Sequence, residues 1–98
     1  MPKTIAKNPG LGLALRLYVA GNAPNSVLAI ANIRALCEMP FAAGHKLEIV
    51  DSLKYPLRAL ADGILVTPTL IKLDPIPVQR LIGNLSDTRQ VLLALGGK

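Results

Sequence analysis

The chain has 98 residues, enough for one domain, and a domain of this size buries only about two-thirds of its unfolded surface, so modest stability is expected. Apolar residues make up 51% of the chain and aromatics only 3%, so the core has to be built from Leu, Ile, Val and Ala, with the surplus expected to cover another subunit or a partner. The net charge of +5 comes from 11 basic residues scattered singly from Lys3 to Lys98, and Tyr18, Phe41 and Tyr55 fall in different elements; no basic face interleaved with stacking aromatics is present, which argues against nucleic acid and for an acidic protein surface. The richest apolar stretch, Leu11 to Val19, is interrupted by Arg16 and is too short to span a bilayer, so no membrane partner is expected. A single cysteine rules out an internal disulfide and fits a reducing cytoplasm.

Residues 1 to 12 read as a flexible N-terminal arm, because the apolar stretch after Gly10 is short, interrupted and followed by no small-residue cleavage site. A single domain over 13 to 96 follows. Leu13 to Ala20 alternates about Arg16 and Tyr18 and ends at the turn pair Gly21-Asn22, which predicts the first strand. Pro24 suits the first turn of a helix running to Cys37, with Ala23 or Asn22 near its cap and Ser26 available for capping. Its apolar positions, Val27, Leu28, Ile30, Ala31, Ile33, Leu36 and Cys37, lie nearly all round, which predicts burial on more than one side, and Pro40 ends the helix.

Lys46 to Asp51 reads as the second strand, with Leu47, Ile49 and Val50 facing inward. A short helix then starts at Pro56, puts Leu57, Leu60, Ala61 and Ile64 on one face, and stops at Gly63. Val66 to Leu73 predicts the third strand, with a proline near its start where no ladder N–H is needed. Asp74-Pro75-Ile76-Pro77 has to turn the chain, and Val78 to Ile82 returns antiparallel as the fourth strand. Ser86 is expected to cap a last helix with Asp87 at its positive end, released by Gly96-Gly97.

The chemistry-bearing residues are few. Cys37 lies inside the first helix, far from a second thiol or a base, and reads as a buried inert thiol. His45, the only histidine, has no carboxylate or thiol at ligand spacing, so neither a metal nor a cofactor is expected. Ser26 sits in no nucleophile-elbow or phosphate-loop pattern. Nothing reads as catalytic. Lys54, Arg58, Lys72 and Arg80 are the basic positions offered for a partner-binding face, against the plainer reading of solvated surface charge.

Gly63 to Gly83 (GILVTPTLIKLDPIPVQRLIG) resembles the second half of a thioredoxin-like domain, which implies a cis Thr67–Pro68 bond and an α/β fold ordered strand, helix, strand, helix, strand, strand, helix. The place after the first strand where such an oxidoreductase carries its Cys-x-x-Cys pair is here Gly21 to Ser26 (GNAPNS), without an ionisable side chain. Four segments in register, Leu15–Ser26 (LRLYVAGNAPNS), Ile49–Pro56 (IVDSLKYP), Ile64–Leu70 (ILVTPTL) and Arg80–Ser86 (RLIGNLS), resemble the KaiB family of bacterial circadian clock proteins over about residues 14 to 95.

That resemblance implies a non-enzymatic adaptor that binds the ring of the ATPase KaiC and times its phosphorylation cycle. It implies two folds as well: the thioredoxin-like form that binds the ring, and a ground-state topology (strand, helix, strand, strand, helix, helix, strand) in an isolated homotetramer, so a dimer or tetramer is expected. Residues 57 to 73 suit such a change, since short Leu- and Ala-rich runs are ambiguous between helix and strand. Pro68, Pro75 and Pro77 supply slow bonds across the segment, X–Pro isomerisation taking tens to hundreds of seconds. Departures from the family pattern, Asn84 in the place of a usual acid, Ala59-Leu60-Ala61 in the place of several, and no acidic tail after Lys98, count against a KaiA-like partner and for a stress or hourglass system. The alternative reading is a thioredoxin-like redox or glutathione-binding domain, which requires an exposed Cys37 with a depressed pKa.

Overall fold

In the computed structural model, which describes residues 12–96, the elements follow the expected order: β1 (Ala14–Val19), α1 (Pro24–Cys37), β2 (Lys46–Asp51), α2 (Pro56–Ala61), β3 (Thr69–Asp74), β4 (Gln79–Ile82) and α3 (Thr88–Leu95), with a short 3-10 turn at Pro40–Ala42. Apart from Gly12, the arm expected over residues 1 to 12 lies outside the described residues, as does Gly97. The strands form one four-stranded sheet in the order β2-β1-β3-β4, with β1 and β2 parallel and the β1–β3 and β3–β4 pairs antiparallel.

Alternation along the strands gives the sheet two unlike faces. Leu13, Leu15, Leu17 and Val19 point to one side with Leu70 of β3, where Ala29, Ile33 and Leu36 of α1 and Val91 and Leu95 of α3 close the main core. The opposite face carries a smaller cluster, Tyr18, Val50, Ile71 and the Ala59 side chain of α2. Helices α1 and α3 therefore share the larger hydrophobic layer, and α2 covers the other face alone.

Several local expectations are corrected. Helix α1 buries a single stripe, Ser26, Ala29, Ile33, Leu36 and Cys37, at helical spacing, while Val27 and Leu28 stay about half exposed, so its burial is one-sided. Ser26 does not cap the helix: its hydroxyl accepts from the Ala20 N–H at 3.0 Å, joining the end of β1 to the first turn of α1, and the cap residue Ala23 contributes no side chain. Strand β3 starts at Thr69, later than expected, because the residues from Val66 to Pro68 are spent turning the chain onto the sheet, where the Thr69 hydroxyl donates to the Val66 carbonyl. Helix α3 is capped by Asp87, whose carboxylate accepts from the Gln90 N–H at 3.1 Å, one residue beyond the expected Ser86. The Thr67–Pro68, Asp74–Pro75 and Ile76–Pro77 peptide bonds are cis.

The stripe on α1 makes a direct test. Replacing the fully buried Ile33 by Ala is expected to lower stability by about 2–5 kcal/mol in chemical denaturation, whereas Leu28→Ala on the exposed side of the same helix is expected to change it by no more than about 0.5 kcal/mol.

Candidate functional site

The residues that would have signalled chemistry are dispersed. Cys37 is buried, and burial alone pushes its thiol pKa up, the opposite of what a reactive thiol requires. The Nδ1 atom of His45 lies 3.1 Å from the Ala42 carbonyl, a local turn contact. Among the described residues no three His, Cys, Asp or Glu side chains are grouped as a metal site would need, and no helix is long and apolar enough to cross a membrane. Three surface depressions of about 220, 240 and 210 Å³ fall below the roughly 300–1,000 Å³ usual for small-molecule pockets.

The organised polar chemistry lies beneath α2. Pro56 opens this 6-residue helix, where its missing N–H costs nothing, and Gly63 closes it at φ +69°. The Ile64 N–H bonds to the Ala59 carbonyl and the Gly63 N–H to the Leu60 carbonyl, the paired C-terminal bonds that a left-handed glycine permits. Only Ala59 is buried, and Leu57 and Leu60, expected on one face of the helix, point outward at 78% and 74% exposure. Apolar packing of one methyl supplies about 0.8 kcal/mol, and a helix of this length has no stability of its own.

A polar row from the sheet takes over that task. The strand register aligns Glu48 of β2 with Arg16 of β1, Arg16 with Ile71 of β3, and Ile71 with Arg80 of β4, so the row crosses the whole sheet on the face that α2 covers. Arg16 donates through Nε to Glu48 at 2.8 Å and through Nη1 to Asp62 at 3.0 Å, and Arg58 of α2 pairs with the other Glu48 oxygen at 2.8 Å. The buried Tyr18 hydroxyl lies within reach of the Asp62 carboxylate and the Arg58 carbonyl; its one proton goes to the charged acceptor. Arg80 donates to the Asp62 carbonyl, so two guanidinium groups sit at the negative end of the helix.

Around this seat the exposed side chains are mostly apolar. Leu53 and Tyr55 precede α2, on a loop held by the Asp51 carboxylate accepting from the Gly21 and Leu53 N–H groups. Leu65, at 94% exposure, and Val66 follow it, with Ile82 of β4 alongside in the depression that Arg80 and Gly63 also line. Of the basic positions expected to meet a partner, Lys54 is exposed on the preceding loop, while Arg58 and Arg80 stand at the edge of the ridge with their guanidinium groups already engaged. Lys72 is 5% exposed on β3, in the strand phase of Leu70 and the main core, so the structure separates it from the others. The sequence reading missed Arg16, Tyr18, Glu48 and Asp62. Their one signal was polar alternation within two otherwise apolar strands, and register was needed to bring them together.

These links set the acid–base behaviour. Hydrogen bonds from Arg58 and then Arg16 lower the Glu48 carboxyl from its usual 4.5 to about 2, and the Tyr18 hydroxyl followed by Arg16 lowers Asp62. Carboxylates held low in the folded state add stability above their ordinary pKa and lose it as pH falls through the folded value. Unfolding free energy is therefore expected to be insensitive to these groups from pH 6 to 8 and to fall between about pH 4.5 and 2, with Glu48→Gln flattening that acid limb; denaturant midpoints across the range check it.

The model of the family described as the KaiB domain matches residues 16–96. The circadian clock oscillator protein KaiB of Synechococcus elongatus is 49% identical over 81 residues, covering 83% of this chain and 79% of that protein. The protein of the same description from Prochlorococcus marinus is 51% identical over 81 residues, covering 83% and 68%. Among solved structures, the N-terminal domain of Synechococcus elongatus SasA aligns with a TM-score of 0.68 at 24% identity, covering 86% of this chain and 83% of that one. Chloroplastic thioredoxin z aligns at 0.72 and 18% identity, covering 95% and 81%. At such identities the structural likeness carries the fold, which is thioredoxin-like, and the sequence likeness carries the family: the chain belongs to the KaiB family.

Proposed function

We propose that this chain is a non-enzymatic adaptor of the cytoplasm that docks on a KaiC-like ATPase ring and modulates its phosphorylation cycle. The observation that carries this reading is the unpartnered ridge of α2 and its flanks, Leu53, Leu57, Leu60 and Leu65, with Lys54 and Arg58 beside it. Contiguous exposed apolar side chains of this kind mark interaction surfaces, and a basic rim favours an acidic counterpart. Membership of a clock-protein family supplies the partner class. The buried Cys37 gives the redox or glutathione-binding alternative no support.

The proposal includes a slow exchange between a self-associated resting topology and the thioredoxin-like form. A six-residue helix seated by one alanine and a set of ion pairs is a segment of low local stability, the kind drawn into such rearrangements. The apolar ridge then has two covers, another subunit at rest and the ring when active. A KaiA-like protein is no part of the proposal, because Asn84 and Ala59-Leu60-Ala61 depart from the family pattern.

Incubating the protein with a KaiC-type ATPase and ATP for hours, at tens of micromolar, is expected to yield a complex on size exclusion. Leu57→Ala together with Leu60→Ala is expected to weaken it by about tenfold or more, since centrally placed interface anchors are worth more than about 1 kcal/mol each. Because both side chains face water in the thioredoxin-like form, its circular dichroism should stay near the parent spectrum, and any change in self-association is read on the same column. No complex under these conditions, or undiminished affinity in the double variant, would remove the ring or the ridge from the reading.

A further inference from the structure

Arg16 stands 46 residues from Asp62 and 32 from Glu48 in sequence, yet one guanidinium reaches both carboxylates, on the end of α2 and on the edge strand β2. Glu48 in turn holds Arg58 of the helix through its other oxygen. The helix is thus attached through Arg16 to Asp62 at its C-terminal end and through Glu48 to Arg58 in its middle, while apolar packing is limited to the buried Ala59 and the partly buried Ile64 just beyond the helix. The side chains of this set are partly wet: 25% exposed for Arg16, 29% for Asp62 and 46% for Glu48. Such pairs are screened by salt, whereas the α1 side of the sheet is closed by apolar side chains that salt does not loosen.

We propose that Arg16 is the positioning residue of α2, the central tie of a polar latch that lets this helix open from the sheet while the α1 and α3 side stays folded. The latch fixes the location of Leu57 and Leu60 without itself facing a partner. Opening releases the outward ridge as a unit, because the links all end between Arg58 and Gly63. Arg16 is the central member because it alone joins Glu48 to Asp62; Tyr18 reaches Asp62 and the Arg58 carbonyl but not Glu48, and Arg80 reaches only the C-terminal end of the helix. The consequence for docking rests on the function proposed above; the opening itself does not.

Amide hydrogen exchange on the free, full-length protein tests it. In Arg16→Met, which keeps an apolar stem of similar length, the Ala59, Asp62 and Ile64 amides are expected to exchange about 5–30-fold faster, the factor that one or two net hydrogen bonds supply. The Ile33 and Leu36 amides of α1 should keep the parent rate. Arg16→Lys, with one point charge for a two-pronged fork, should fall between. Salt at 1 M, where screening reaches about 3 Å, should speed α2 exchange in the parent and little in Arg16→Met. Equal acceleration in α1 and α2 would make Arg16 a contributor to global stability only, and unchanged α2 exchange would abolish the latch; either overturns the proposal. Should Arg16→Met fail to fold, Glu48→Gln cuts the same tie from the exposed edge strand, with the same expected pattern.

A binding arm separates the two claims. Apparent affinity scales with the docked fraction, so Arg16→Met is expected to raise the Kd for the ATPase ring by no more than the factor seen in exchange. A larger rise would mean that Arg16 touches the partner, against a positioning role. If the parent protein fails to bind the ring, the docking function falls while the exchange experiment still decides the latch.

Discussion

The attachment of α2 to the sheet adds a set of ion pairs and hydrogen bonds to a small apolar cluster, where the rest of the fold uses a large one. On one face, the leucines of β1 and the stripe of α1 interlock in a layer that also takes in Val91 and Leu95 of α3. On the other, a helix with one buried alanine is held by Arg16, Tyr18, Glu48 and Arg80 reaching up from the strands. This division leaves the leucines of α2 unused by the core. An apolar helix face that the fold does not consume is available for another molecule, and the polar seat holds it in a defined place.

The same scaffold elsewhere supports thiol chemistry, and here the geometry of that region is kept for structure. The turn from Gly21 to Ser26 ends in a hydroxyl that accepts from Ala20, and the Asp51 carboxylate takes the Gly21 N–H, so these two groups join the ends of β1 and β2 to the turn. The only thiol of the chain is buried against the sheet. The thioredoxin-like frame thus carries a buried thiol and an exposed apolar ridge, in a chain of the KaiB family.

Much of the fold was legible from local signals because local physics decides it. Pro24 and Pro56 mark the helix starts, Gly63 and Gly96 fall at positive φ past their ends, and KLEIVD fixes β2 to the residue. What failed was the expectation that α1 is buried on more than one side. Val27 and Leu28, or Leu57 and Leu60, are as apolar as their buried neighbours, and periodicity cannot say which apolar residues the fold will use and which it will leave outside. The seat of α2 was invisible for a different reason: Arg16, Glu48, Asp62 and Arg80 belong to four separate segments, and only the pairing of β2, β1, β3 and β4 lines them up. Of the basic residues, Lys54 and Arg58 remained at the surface while Lys72 went inward, a distinction set by strand phase and not by charge.

The central claim is that α2, seated by polar links, presents the working surface of this protein. Backbone NMR of the labelled chain, free and bound to a KaiC-type ring, tests it most directly. The account predicts that signal changes on binding concentrate between Leu53 and Val66, with α1 and the outer side of α3 little affected. Changes centred on α1 or α3, with Leu53 to Val66 unmoved, would contradict it.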